Sequence, residues 1–503
     1  MTSTTRRIIL SCLFIFIAIC ICLSIIGAIW TGVIILEPSL SSRLPLGLQP
    51  STTVYAPAAT PTLVSQNPTR VKPSATSTAN ILADTQTPLP PGSTPIDTPT
   101  PPLGPGIPPV IASQMDEIQQ QVSQLRGLQA NQPVNRNLMT PDQLRQRVSS
   151  DFLKDYSPEQ ARDDAIELYT FGLLDPKFDL LSFYKNLLTE QVAGFYDNKT
   201  KEMYVIQADN FTGMERFNFS HEYDHFLQDQ NFDIQNGLDF NDTTCKKESE
   251  YCAAIQALLE GDATVLSLQW LRTYATSQDK KDIQKAADEI KLPIYDSAPD
   301  FIKQDFTFPY QAGLVFVQQL YSQGGWETVN QAYHNPPVST EQILHPVRYP
   351  NDTPVSVSLP DFSSILGADY REVVRNTLGE WYTFLVLAYG LDPEARIDPD
   401  KSRRAAEGWG GDSYVVYFND VNQTSIMILV SRWDDTSEAN QFSSSFREYA
   451  TKRFGNPTND HNDTVSWSDP GGYTEYHING EQTTWIYSPT KEIAQAIWGE
   501  IQP

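Results

Sequence analysis

The sequence predicts an α+β protein: a mainly helical region with a small β-hairpin near its N-terminal side, followed by a C-terminal α+β sandwich domain. Three observations carry this. Apolar residues recur at helical spacing through most of residues 112–359. One run, Gly194 to Ile206, reads as a hairpin with Asp197 to Lys201 in the turn. After Pro360 the pattern turns to strands at Ser413–Phe418 and Ser425–Trp433, a helix at Thr436–Phe454, and a hairpin of Tyr473–Ile478 with Thr483–Tyr487 turning at Asn479-Gly480. A helix at Lys491–Ile501 then closes the chain.

From the N-terminus, residues 1–7 are expected to be cytoplasmic and residues 8–36 to form a transmembrane signal anchor. Ile8 to Leu36 has no charged residue and is long enough to cross a bilayer as a helix. Arg6 and Arg7 precede it, so the rest of the chain is expected outside the cytoplasm. A cleaved signal peptide is the alternative, with an apolar run about half as long. Residues 37–111 are rich in Pro, Thr and Ser and bury too little apolar surface to fold, which suggests a stalk. Fully extended, it would reach on the order of 200 Å.

Residues 112–182 read as helices that pack on the region after them, with a separate inhibitory prosegment as the lesser reading. Pro141 and Pro158 mark helix starts, each in the first helical position. In the next part, residues 183–359, Gly324-Gly325 ends one helix and Trp326 begins another. The last part, residues 360–503, is the α+β domain. Gly408, Gly410 and Gly411 precede its strands as a loop; Ser413 stands where a phosphate-cradling motif needs glycine, so no such cradle is read there.

The chemistry concentrates in His221-Glu222-Tyr223-Asp224-His225, which spells H-E-x-x-H within a helix; the whole chain has six histidines. Imidazoles four residues apart share one helix face and reach one metal ion. A glutamate after the first histidine sits where it can take a proton from water at that ion. A catalytic zinc site takes a third protein ligand and keeps one position open. Gln228 and Asn231 occupy the places where a glycine and a third histidine would extend the motif, so a carboxylate is expected. Glu260 is the candidate, inside the apolar helix around Ile255, Leu258, Leu259 and Val265, where an unpaired carboxylate is costly. Asp262 is the rival; Glu248 and Glu250 are weaker ones.

His221-Glu222-x-x-His225 followed by Glu260 on a second helix resembles the gluzincin class of zinc metallopeptidases. The segments Leu188–Asp197, Phe226–Gln230 and Leu259–Ala263 resemble poorly characterised bacterial membrane-anchored members. The likeness spans Met139 to Tyr349 and implies a zincin-like catalytic domain over residues 183–359. It also implies zinc held by His221, His225 and Glu260, with Glu222 as general base. Such proteins often carry an aspartate four residues after the ligand glutamate, which orients a ligand histidine; here Thr264 stands there, and its hydroxyl can accept the bond but brings no charge.

Water attack on a carbonyl builds an oxyanion that needs a donor besides the metal. Tyr310 and His345 are the candidates: Tyr310 just before an apolar helix through Leu320, His345 in a Pro-flanked segment where Glu341 is an alternative loop anchor. A strand at Met203–Ile206 suggests an edge for an extended peptide.

Together these point to a membrane-tethered, extracytoplasmic zinc peptidase acting on a peptide or protein, with the bilayer as a second partner. A binding scaffold that kept a peptidase fold, and a zinc hydrolase of a non-peptide amide such as a cell-wall cross-link, are the alternatives. The net charge of −25 excludes nucleic acid as a partner. Of five cysteines, Cys12, Cys20 and Cys22 fall in the apolar run, whereas Cys245 and Cys252 are either paired or both free.

Overall fold

Helices begin where the sequence offers caps. In the computed structural model, which describes residues 106–147, 150, 153, 156–191, 194–206, 211–461 and 463–501, Ser157 and Gln160 form a reciprocal capping box with Pro158 in the first turn. Thr212 with Glu215 and Thr276 with Asp279 repeat the device. The order is α1 Pro109–Arg126, β1 Asn135–Met139, α2 Pro158–Thr170, α3 Leu180–Gln191, β2 Gly194–Asp197 and β3 Glu202–Ile206. Then come α4 Gly213–Phe232, α5 Ser249–Thr273, α6 Ser277–Glu289, α7 Asp300–Gly324 and α8 Trp326–His334. The last third holds β4 Tyr370–Asn376, α9 Gly379–Ala388, α10 Pro399–Ala406, β5 Trp409–Asn419, β6 Thr424–Trp433 and α11 Thr436–Phe454. It ends with β7 Asn459–His461, β8 Thr464–Asp469, β9 Gly472–Asn479, β10 Gln482–Ser488 and α12 Lys491–Ile501. Short helical segments, among them Pro141–Arg147 and Thr340–Leu344, lie between these elements.

The protein is mixed α+β with two sheets. The smaller has the order β1-β3-β2: β1 runs parallel to β3, Leu138 opposite Val205, and β2 pairs antiparallel, Tyr196 opposite Met203. The expected edge at Met203–Ile206 is therefore corrected. Strand β1, from a region that reads as helical, covers β3, so the central strand is β3 and the edges are β1 and β2.

The larger sheet is antiparallel in the order β4-β5-β6-β10-β9-β8-β7. Alternate side chains divide between its faces. Val415, Tyr417, Ile426, Ile428 and Ile486 pack under Ala494 and Ile497 of α12. Tyr414, Val416, Met427, Leu429, Trp467 and Trp485 face Phe442, Phe446 and Tyr449 of α11, in a core continuous with the helical region. Gly410 and Gly411 lie inside β5 rather than in a loop. Val355 N–H donates to Gly410 O at 2.8 Å, and a Cβ on Gly411 would meet Val355 O at 2.3 Å.

Helices α5 and α7 cross with their backbones in contact. A Cβ on Gly261 would lie 2.2 Å from Gly313 O, and one on Gly313 would lie 2.1 Å from Ala257 O. Helix α7 starts well before the expected place and runs through Pro309, because Phe301, Ile302, Phe306 and Phe308 bury on the same element. Cys245 and Cys252 form a disulfide at the start of α5.

The membrane assignment is also corrected. Among the described residues no helix is long and apolar enough to cross a membrane. The expected anchor, residues 8–36, lies outside the described residues, as do residues 1–7 and the stalk up to residue 105. Helix α1 begins at Pro109.

Candidate metal centre

Helix α4 places His221 and His225 one turn apart with Glu222 next to His221, and α5 brings Glu260 against them. All four are almost wholly buried: His221 and Glu260 at 0 % exposure, Glu222 and His225 at 2 %. Nε2 of His225 lies 3.1 Å from Nε2 of His221, and Glu260 Oε2 lies 3.2 Å from His221 Nε2 and 3.4 Å from His225 Nε2. Neutral imidazole nitrogens and a carboxylate oxygen that face one another so closely repel unless a proton or a cation lies between them. Tetrahedral zinc with ligands at ~2.05 Å spaces them about 3.3 Å apart. The three atoms fit that ion.

The charges agree with this donor set. Burial holds His221 below its ordinary value, against the pull of Glu260. Burial also opposes charge on His225, but the charge and hydrogen bond of Glu260, then Glu222 and Gln228, raise it to about 10. Glu260 is depressed on balance: burial raises it, while the charge of His225 and hydrogen bonds from both histidines outweigh that. Without a metal the trio thus shares a proton centred on His225.

Glu222 is held differently. Its Oε2 accepts the Tyr196 N–H of β2 at 3.0 Å, while Oε1 is buried with no hydrogen-bond partner. Burial, then the charge of Glu260, raises it to about 8, against the lowering effect of His225 and Tyr196 N–H. Glu260 Oε1 is likewise without a hydrogen-bond partner. The Tyr310 ring stacks on His221 with centroids 6.4 Å apart and planes at 28°, carried there by the Gly261–Gly313 crossing.

His345 is not brought to this group. It follows the turn Thr340–Leu344 and pairs with Glu380 of α9 at 2.9 Å. Burial and Arg348 oppose its charge, but the charge and hydrogen bond of Glu380, then Glu407, hold it above its ordinary value. Glu341 pairs with Arg348, as a loop anchor does. Asp262, the rival ligand, points away from the centre: Arg126 Nε and Nη2 donate to it at 2.9 and 2.8 Å, and Tyr333 OH at 2.6 Å. Glu250 is spent on Thr340, whose N–H donates at 2.6 Å. Thr264 Oγ1 has no hydrogen-bond partner, so the orienting contact is not made there.

Gln228 makes that contact instead. Its Oε1 accepts His225 Nδ1–H at 2.9 Å, a role the sequence reading did not assign. Arg126 was missed as well, though a signal existed. Ala112, Met115, Ile118, Val122 and Arg126 form the buried stripe of α1, and a cation on such a stripe requires a buried partner.

Among known proteins, a family model described as a domain of unknown function (DUF8575) matches residues 368–498. The match covers the large sheet with α9 to α11 and most of α12, and none of the four residues of the centre. No curated protein and no solved structure matches the chain.

Proposed function

We propose that this protein is a zinc-dependent peptidase that hydrolyses a peptide bond with Glu222 as general base. The observation that carries the reading is the mutual spacing of His221, His225 and Glu260 at 3.1–3.4 Å beside a carboxylate that ligates nothing. Metal holding alone gives no reason for that fourth group. We read residues 183–359 as the zincin-like catalytic domain and residues 360–503 as an α+β sandwich beside it.

When bound, zinc would supply a Lewis acid that polarises the scissile carbonyl and the attacking water. The chain's own groups do the rest. Tyr196 N–H pins Glu222 Oε2, which leaves Oε1 to take a proton from water and return it to the leaving amine. Tyr310, stacked on His221, is the donor proposed for the oxyanion. The edge strand β2, whose Tyr196 N–H contacts Glu222, runs beside the centre, which supports an extended peptide as substrate.

The test uses the full-length chain, stripped of metal and reloaded with zinc, on a peptide library. Cleavage that a chelator stops, and that Glu222→Gln abolishes with zinc retained, is expected. A protein that holds zinc and cleaves nothing overturns the reading.

A further inference from the structure

Against α4 and α5 lies a buried polar group without a part in the chemistry above. Arg126, the last residue of α1, is fully buried. Its Nε and Nη2 grip Asp262 in a two-pronged contact, Nη1 donates to Asn330 at 2.7 Å, and the guanidinium sits 4.4 Å from the centre of the Trp326 ring. Asp262 lies two residues after the ligand Glu260. The same guanidinium faces Asp224, with Nε 3.9 Å from Oδ1, and Asp224 lies between Glu222 and His225. One cation therefore counters a carboxylate on each metal-bearing helix.

From Asp224 the polar contacts continue to the metal position. Gln228 Nε2 donates to Asp224 Oδ2 at 3.1 Å and to Leu259 O at 3.1 Å, and its Oε1 accepts from His225 Nδ1 at 2.9 Å. These bonds use both amide hydrogens, and they fix the orientation. A flipped amide would turn its oxygen onto a carboxylate and a carbonyl, and its NH2 onto an imidazole N–H. With the amide in this orientation, His225 must carry its hydrogen on Nδ1, and the Nε2 lone pair faces His221 and Glu260. Gln228 also ties α4 to the residue before Glu260, so one side chain positions two ligands.

We propose that Arg126, Asp224 and Gln228 act as a buried positioning relay that sets the tautomer and direction of His225 and so tunes the affinity and ligand field of the metal centre. Gln228 acts through His225, and Arg126 acts through Asp224. None of the three touches substrate. The relay stands in for the orienting carboxylate absent at Thr264, from the opposite helix. It rests on the zinc reading of the centre but not on peptide hydrolysis.

The experiment compares the full-length parent with Gln228→Leu, Gln228→Glu and Asp224→Asn. Zinc affinity is read by competition with a chelating dye, and the visible spectrum is taken with cobalt(II) in place of zinc. Gln228→Leu removes the acceptor at similar volume and should weaken zinc about 10–100-fold with a shifted cobalt spectrum. Gln228→Glu keeps an acceptor for Nδ1–H and should recover part of that loss, which a packing role alone would not predict. Asp224→Asn, at constant shape, should weaken zinc about threefold or more, and it carries the test if the leucine variant fails to fold. Zinc affinity within about threefold of the parent in Gln228→Leu, with an unchanged cobalt spectrum, overturns the relay. A parent that binds zinc without cleaving peptides removes the peptidase reading and leaves the relay intact.

Discussion

Replacing Glu222 by Gln should move activity and stability in opposite directions. The amide oxygen can keep the Tyr196 N–H bond at 3.0 Å, so geometry is retained. The other position becomes an NH2 and accepts no proton. A positioned general base contributes about 10²–10⁴ in rate, or roughly 3–5 kcal/mol of barrier. Stability follows the carboxyl itself, which burial raises from 4.5 to about 8 in the metal-free protein, with the charge of Glu260 adding to burial. A carboxyl raised on folding costs nothing while it stays protonated in both states. Below 4.5 the penalty is absent, and it grows until the pH passes about 8. At pH 7 it amounts to something on the order of 3 kcal/mol, which a neutral glutamine does not incur. Urea unfolding of parent and variant in chelator, at neutral pH and in acid, should show the variant more stable at neutrality and the gap closing in acid. The zinc-loaded variant should lose at least about 10²-fold in kcat/KM. A variant less stable than the parent at neutrality, or one keeping more than about a tenth of the parent's kcat/KM, would refute the argument.

Glu260→Ala should abolish stoichiometric zinc binding, measured by metal analysis after gel filtration, and a full zinc complement would move the third ligand elsewhere. Asp262→Asn should keep zinc but lose about 3–5 kcal/mol of stability in denaturant, because Arg126 is left in the interior without its carboxylate partner. Zinc must displace the proton that Glu260 holds on His225. Affinity should therefore rise about tenfold per pH unit between about pH 6 and 8, and a flat profile in competition titrations would refute the shared-proton picture. Gly261→Ala puts a methyl 2.2 Å from Gly313 O, about 1 Å inside contact distance. The two helices must part, with about 1–3 kcal/mol lost in thermal unfolding and the Tyr310–His221 stacking disturbed.

Much of the centre was legible because its signals are local. His221, Glu222 and His225 lie within five residues, and helical periodicity alone puts both imidazoles on one face. The hairpin Gly194–Ile206, the hairpin turn at Asn479-Gly480 and the helix Thr436–Phe454 were likewise readable from alternation, turn chemistry and period. Strands β1, β4, β7 and β8 were not. Asn135–Met139 and Asn459–His461 are short and polar, and they become strands only because β3 and β8 offer hydrogen-bond partners far away in sequence or across a turn.

By itself the sequence determined which residue types could hold and use a metal, since spacing along one helix follows from 3.6 residues per turn. It narrowed the candidates for a third ligand to a few carboxylates. Only the tertiary structure chose among them: Glu260 and Asp262 stand two apart on one helix, about 200° around its axis. The crossing of α4, α5 and α7 turns one toward the histidines and gives the other to Arg126. The same crossing enlisted Gln228 and Tyr310, while His345 pairs with Glu380 on another helix. A contact between residues tens of positions apart depends on how helices pack, and no local pattern encodes that.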